Sequence, residues 1–142
     1  MGQLLEKLVI ESRFDDTTKA RHWVAGHARS AGFEAEVVFA IELALGEALA
    51  NVIEHAYEGQ PDQEIHLNLT IDETKLSLTI RDFGHKFDQA KYHPPNLSEA
   101  KEGGYGVYLI EQLMDEVRYL NPDGKGTQLN LIKYKSAPRK YH

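Results

Sequence analysis

The sequence predicts an α+β fold, a two-layer α/β sandwich with a mixed, mostly antiparallel sheet covered on one face by helices. Three observations predict it. Two segments of period-two apolar alternation stand between segments with helical periodicity. These two are separated only by Asp72-Glu-Thr-Lys75, a connection short enough to force an antiparallel hairpin. The order strand, helix, helix, two strands, helix, two strands packs most simply with its helices on one side of a sheet.

The elements follow in order. Leu4 to Ser12 reads as a first strand, carrying Leu5, Leu8, Val9 and Ile10. Asp15 or Asp16 is a candidate cap for the next helix, because a short acid accepts from free N–H groups. That helix runs to about Ala31 and stops at Gly32. A long helix is predicted over Glu34 to Tyr57, with Val38, Ile41, Leu45, Ala48, Leu49 and Val52 on one side. Glu58-Gly59-Gln60-Pro61-Asp62 breaks it. Ile65, Leu67, Leu69 and Ile71 alternate with polar residues as a half-buried strand, and Leu76, Leu78 and Ile80 repeat the pattern. Phe83 to Gly103 is mostly polar and contains Pro94-Pro95; a loop of that length in a small domain is characteristically a lid or a disordered segment. Val107 to Glu116 is an amphipathic helix, Val117 to Leu120 a strand, Asn121-Pro-Asp-Gly124 a turn, and Thr127 to Tyr134 the last strand.

Composition narrows the function classes. A length of 142 residues suits one domain spanning 1–142, and 42% hydrophobic residues supply a core. The net charge of −6 is opposite to that of a protein held on nucleic-acid phosphates, so no direct nucleic-acid contact is expected. With no cysteine there is no disulfide, thiol nucleophile or thiolate zinc site, which fits a cytoplasmic location. Met1 to Ile10 contains Glu6 and Lys7 and lacks a signal-peptide core, and no apolar run approaches the roughly 20 residues of a membrane span.

Chemistry concentrates in three stretches. Glu47 and Asn51 are four apart on the long helix, so they share a face, with Glu54 on the same side and His55 at its margin. An amide oxygen can ligate magnesium and a carboxylate can act as a base, although the same pair also describes a solvated helix face. Ala44, Gly46, Ala48 and Ala50 flank the pair and leave room for an approaching group. Asp82 ends an apolar strand just before Phe83-Gly84. It is either a turn acid or an acceptor for an exocyclic amine such as that of adenine, with Gly84 letting the base pass close. Gly103, Gly104 and Gly106 open the third helix, where unscreened N–H groups bind phosphate oxygens; a lid hinge uses the same residues. No Gly-Lys-Ser/Thr follows, so this is not a Walker loop, and no strand precedes it, which disfavours a dinucleotide fold. Gly126-Thr127 alone reads as a turn and a strand start.

Together, in this order, the stretches resemble the N, G1 and G2 boxes of the GHKL (Bergerat-fold, histidine-kinase-like) ATPase superfamily. The nearer likeness is to the stand-alone bacterial anti-sigma-factor serine/threonine kinases. Glu47-Ala-Leu-Ala-Asn51-Val-Ile-Glu-His55-Ala-Tyr57 is similar to their N box and Asp82-Phe-Gly84-His-Lys-Phe87-Asp88 to their G1 box. Gly104-Tyr-Gly106-Val-Tyr-Leu-Ile110-Glu-Gln-Leu113-Met114-Asp115-Glu116-Val117 is similar to their G2 helix, and Gly126-Thr127 to the pair before their last strand. The resemblance covers about Leu4 to Lys135. It implies that Asn51 ligates a magnesium ion bridging the ATP phosphates and that Glu47 takes the proton from a Ser or Thr hydroxyl. It further implies that Asp82, helped by Thr127, accepts from the adenine amine, that Gly84 admits the base, and that Gly104 and Gly106 admit the phosphates. Residues 87–103 would be the ATP lid. The implied partners are a STAS-domain anti-anti-sigma protein and a sigma factor, and a homodimer is expected.

Two departures stand out. Lys86 lies two residues after Gly84, where many superfamily members carry a second glycine, and the lid has no arginine, only Lys91, Lys101 and His93. These keep a second class of function in view, an ATP-binding partner-switch module without transfer activity. A detached histidine-kinase ATP domain is a third reading.

Overall fold

The computed structural model describes residues 3–86 and 105–136. The chain forms β1 (Leu4–Glu11), α1 (Phe14–Ser30), α2 (Ala35–Asn51), a π-helical turn (Val52–Ala56), β2 (Glu64–Ile71), β3 (Lys75–Arg81), α3 (Tyr105–Leu113), β4 (Glu116–Leu120) and β5 (Gln128–Tyr134). The strands make one sheet of order β1-β2-β3-β5-β4. Every neighbouring pair is antiparallel, so the mostly antiparallel sheet expected from the sequence has no parallel pair among the described residues.

The alternation in the sequence becomes an apolar row across the sheet. Leu8 faces Leu67, Leu67 faces Ile80, and Ile80 faces Leu129. One step along, Leu69 faces Leu78 and Leu78 faces Leu131. All but the half-buried Leu8 are buried under the helices, whose contribution includes Val24, Ile41, Leu45, Leu49 and Ile110. Each such side chain removed from water contributes about 1.5–3 kcal/mol before its entropy cost. The six residues assigned to the inner side of the long helix are all buried.

At four element ends a contact explains the difference from expectation. The N-cap of α1 is Arg13, without a side-chain cap bond; Asp15 and Asp16 lie in the first turn, and Asp16 accepts from the Glu11 N–H at 2.8 Å. Ser12 leaves β1 because its hydroxyl bridges the Gln60 carbonyl at 2.6 Å and the Gln63 N–H at 3.0 Å. The long helix is α-helical only to Asn51 and then widens into the π turn, with Tyr57 N–H donating to the Val52 carbonyl at 2.9 Å. α3 stops at Leu113 because Asp115 is drawn onto β5. Its N–H donates to the Ile132 carbonyl at 2.9 Å and its carboxylate accepts from the Tyr134 N–H at 2.7 Å. No helix of the described residues is long and apolar enough to cross a membrane.

Candidate active site

Glu47 and Asn51 sit on the last turns of α2, half-buried, and α3 lies across them. The crossing point is Gly106. A Cβ there would stand 3.1 Å from Asn51 Oδ1, 3.2 Å from its Nδ2 and 3.3 Å from Glu47 Oε2. The helix spacing of the pair and the missing side chain of α3 therefore make one cradle, in which an amide and a carboxylate face a helix N-terminal turn. Next to it, the stem of Arg21 on α1 crosses α2 at Gly46, where a Cβ would be 3.3 Å from Arg21 Cδ.

Asp82, Gly84 and Thr127 form a second group, at the ends of β3 and β5. Asp82 and Thr127 are buried, at 4% and 5% exposure, unusual for polar side chains at strand ends. The Asp82 N–H donates to the Thr127 carbonyl at 3.0 Å. The Asp82 carboxylate accepts from the Gly84 N–H at 3.0 Å and from the Thr127 N–H. Burial pushes its pKa up. Those two N–H groups and the charges of Arg81 and Lys86 pull the other way.

Two close approaches lock this group. A Cβ on Gly126, whose φ is +86°, would lie 2.6 Å from the Asp82 carbonyl carbon. A Cβ on Gly84 would lie 2.5 Å from the Ala56 carbonyl carbon and 2.9 Å from Tyr57 Cδ1. Glycine at position 84 is thus demanded by the end of the long helix, whatever approaches its other side. The loop is held further by cations. Arg81 donates to the carbonyls of Asp82 and Lys125, and Lys86 Nζ donates to the carbonyls of Pro122 at 2.8 Å and Gly126 at 3.1 Å. Lys86, the departure from the superfamily pattern, ties this loop to the β4–β5 turn.

The structure brings together Glu47, Asn51 and Gly106, and separately Asp82, Gly84 and Thr127; the π turn joins the two groups, since the His85 N–H donates to the Ala56 carbonyl at 2.8 Å. Gly104 and the proposed lid, 87–103, lie outside the described residues. Sequence reasoning gives no site role to Tyr57, Arg81 or Lys86. Lys86 stands out in the sequence only as a departure and Tyr57 only as the end of the N-box stretch; their contacts across the fold show what they hold.

The residues fit a magnesium–nucleotide complex better than a bare metal. Among the described residues no group of three His, Cys, Asp or Glu could enclose an ion. Magnesium characteristically takes one or two protein ligands and completes its shell with phosphate and water, which suits an Asn51 amide oxygen with the Glu47 carboxylate beside it.

The model of the histidine kinase-like ATPase domain family matches residues 10–133. Serine-protein kinase RsbW of Oceanobacillus iheyensis is 35% identical over 123 residues, covering 81% of this chain and 77% of that protein. Serine-protein kinase RsbW of Bacillus subtilis is 30% identical over 127 residues, covering 84% and 78%. An anti-sigma F factor of Bacillus cytotoxicus is 33% identical over 100 residues, covering 68% of each. Among solved structures, the RsbU and RsbW domains of a Mycobacterium tuberculosis protein superpose with a TM-score of 0.63 at 18% identity, over 96% of this chain and 34% of that one. The chain belongs to the histidine kinase-like ATPase domain family, in its group of RsbW-type anti-sigma serine-protein kinases.

Proposed function

We propose that this serine/threonine protein kinase uses magnesium and ATP to phosphorylate a STAS-type anti-anti-sigma protein, and so controls a sigma factor. The observation that carries the reading is the cradle of Glu47, Asn51 and Gly106. A module that only held nucleotide would have no use for a carboxylate beside the amide. The names of the relatives, serine-protein kinase and anti-sigma factor, support the same reading.

When bound, magnesium and ATP supply the phosphoryl group and neutralise its charge. The chain's own work is placement. The Asn51 amide oxygen offers a metal ligand, and the absent side chain of Gly106 lets the first turn of α3 close onto it. Glu47 Oε2 receives the proton of the attacking Ser or Thr hydroxyl. Asp82 accepts from the adenine amine, with Thr127 beside it. Calorimetry with ATP, with and without magnesium and with GTP as control, tests the nucleotide half. Magnesium-dependent, ATP-selective binding is expected, and equal affinity for GTP would remove the adenine assignment. Acid-stable phosphoserine or phosphothreonine on a STAS partner tests the transfer half, and acid-labile phosphate would favour a histidine kinase domain.

Asp82 also gives a prediction in which stability and binding part company. Its folded-state pKa is raised. The protonated carboxyl therefore favours the fold below the unfolded pKa, a contribution lost as pH rises through the folded value, and at neutral pH the ionised group costs stability. Asp82→Asn is expected to leave the Tm unchanged or higher while ATP affinity falls about tenfold or more, because the acceptor of a charge-assisted bond is gone. A thermal melt and a titration of the same sample check both halves.

A further inference from the structure

We infer that Tyr57 is the positioning residue for nucleobase recognition: its phenol fixes the loop after Asp82, and through it the discrimination between a purine with an exocyclic amine and one without. The inference rests on the nucleotide reading above and goes beyond it by assigning the base specificity to a residue outside the pocket's own acceptors. Tyr57 is buried at 6% exposure. Its Oη accepts from the Phe83 N–H at 2.7 Å and donates to the Glu64 carbonyl at 2.6 Å, so one hydroxyl joins the G1 loop to the start of β2. Only a group that both donates and accepts can bridge an N–H and a carbonyl in this way.

The three residues after Asp82 all rest on the end of the long helix. The Phe83 N–H goes to Tyr57 Oη, Gly84 packs against the Ala56 carbonyl and the Tyr57 ring, and the His85 N–H goes to the Ala56 carbonyl. The Gly84 N–H in turn holds the Asp82 carboxylate at 3.0 Å. A path of direct contacts therefore runs from phenol to Phe83 amide to Gly84 amide to the carboxylate. The π turn delivers Tyr57 to this place. Its wider winding rotates the next residues, Tyr57 first, around the helix axis, and such turns recur at functional sites.

The test uses the full chain and Tyr57→Phe, which keeps the ring and removes both hydrogen bonds. ATP and inosine triphosphate, in which a carbonyl oxygen replaces the amine, are titrated with magnesium. The unmodified chain is expected to prefer ATP, and the variant to lose about tenfold of that preference. A merely structural tyrosine would lower the Tm and leave the ratio unchanged, and that result overturns the inference. If the unmodified chain does not distinguish the two nucleotides, the assignment of Asp82 itself fails, and the inference with it. Should the variant not fold, amide exchange in the unmodified chain decides. A Phe83 amide protected like the β3 ladder and slowed further by ATP supports the role of Tyr57, and exchange at the rate of an exposed loop overturns it.

Discussion

Glu47→Gln is expected to bind ATP and magnesium as the unmodified chain does and to transfer phosphate about 10²–10⁴-fold more slowly, the usual worth of a positioned general base. Glutamine keeps the length and the hydrogen-bonding oxygen of Glu47, so the half-buried site beside Gly106 stays filled and α3 stays seated. What it cannot do is take a proton. Single-turnover transfer to the partner, measured beside a nucleotide titration, separates the two effects. Unchanged transfer would remove Glu47 from the base's role, and joint loss of binding and transfer would mean that it serves the nucleotide instead.

Gly126→Ala is expected to be the most damaging glycine-to-alanine change among the described residues. The position has φ +86°, which costs a non-glycine residue about 1–2 kcal/mol. The added Cβ would also stand 2.6 Å from the Asp82 carbonyl carbon and 2.7 Å from Arg81 Nη1. The arginine can move, but the carbonyl belongs to backbone held by the Thr127 carbonyl. Overpacking of this kind adds about 1–3 kcal/mol, and the sum is a large part of the total stability of an ordinary domain. Urea unfolding should show a loss of about 2–5 kcal/mol. Whatever remains folded should bind ATP poorly, since the strain falls on Asp82. A variant of normal stability would mean that the β4–β5 turn relaxes away from β3 at little cost.

β2 and β3 could be read from the sequence because that part of the sheet is buried on one face, and period-two alternation is the direct record of that; β1 was legible only as an apolar run and β4, with no buried residue, carries no such record. Ile65 to Ile71 and Leu76 to Ile80 show it most cleanly. The helix ends were harder. Nothing in Val52-Ile-Glu-His-Ala distinguishes a π turn from an α turn, since the change lies in which carbonyl each N–H finds. Asp115 looks like a helix residue until β5 is beside it. The site divides in the same way. Glu47 and Asn51 were readable as a pair because four residues on a helix is a local relation. That Gly106 faces them, that Gly84 is seated on Ala56, and that Lys86 reaches Pro122 and Gly126 are relations between distant segments. A glycine in a sequence announces an unusual backbone or a close neighbour without saying which neighbour.

The strand order has a consequence for how the molecule is made. β3 pairs not with its successor in sequence but with β5, and the Arg81 side chain reaches a carbonyl 44 residues downstream. On the ribosome, the carboxylate of Asp82 emerges long before the backbone that shelters it. A partly made chain can already hold Glu47 and Asn51 one turn apart on a helix, yet it has no β5 against which to close the strand end. Long-range pairing of this kind forms late, after its loop-closure cost has been met. The β3 end at Asp82 therefore closes only once β5 has been made and the Asp82 N–H can reach the Thr127 carbonyl.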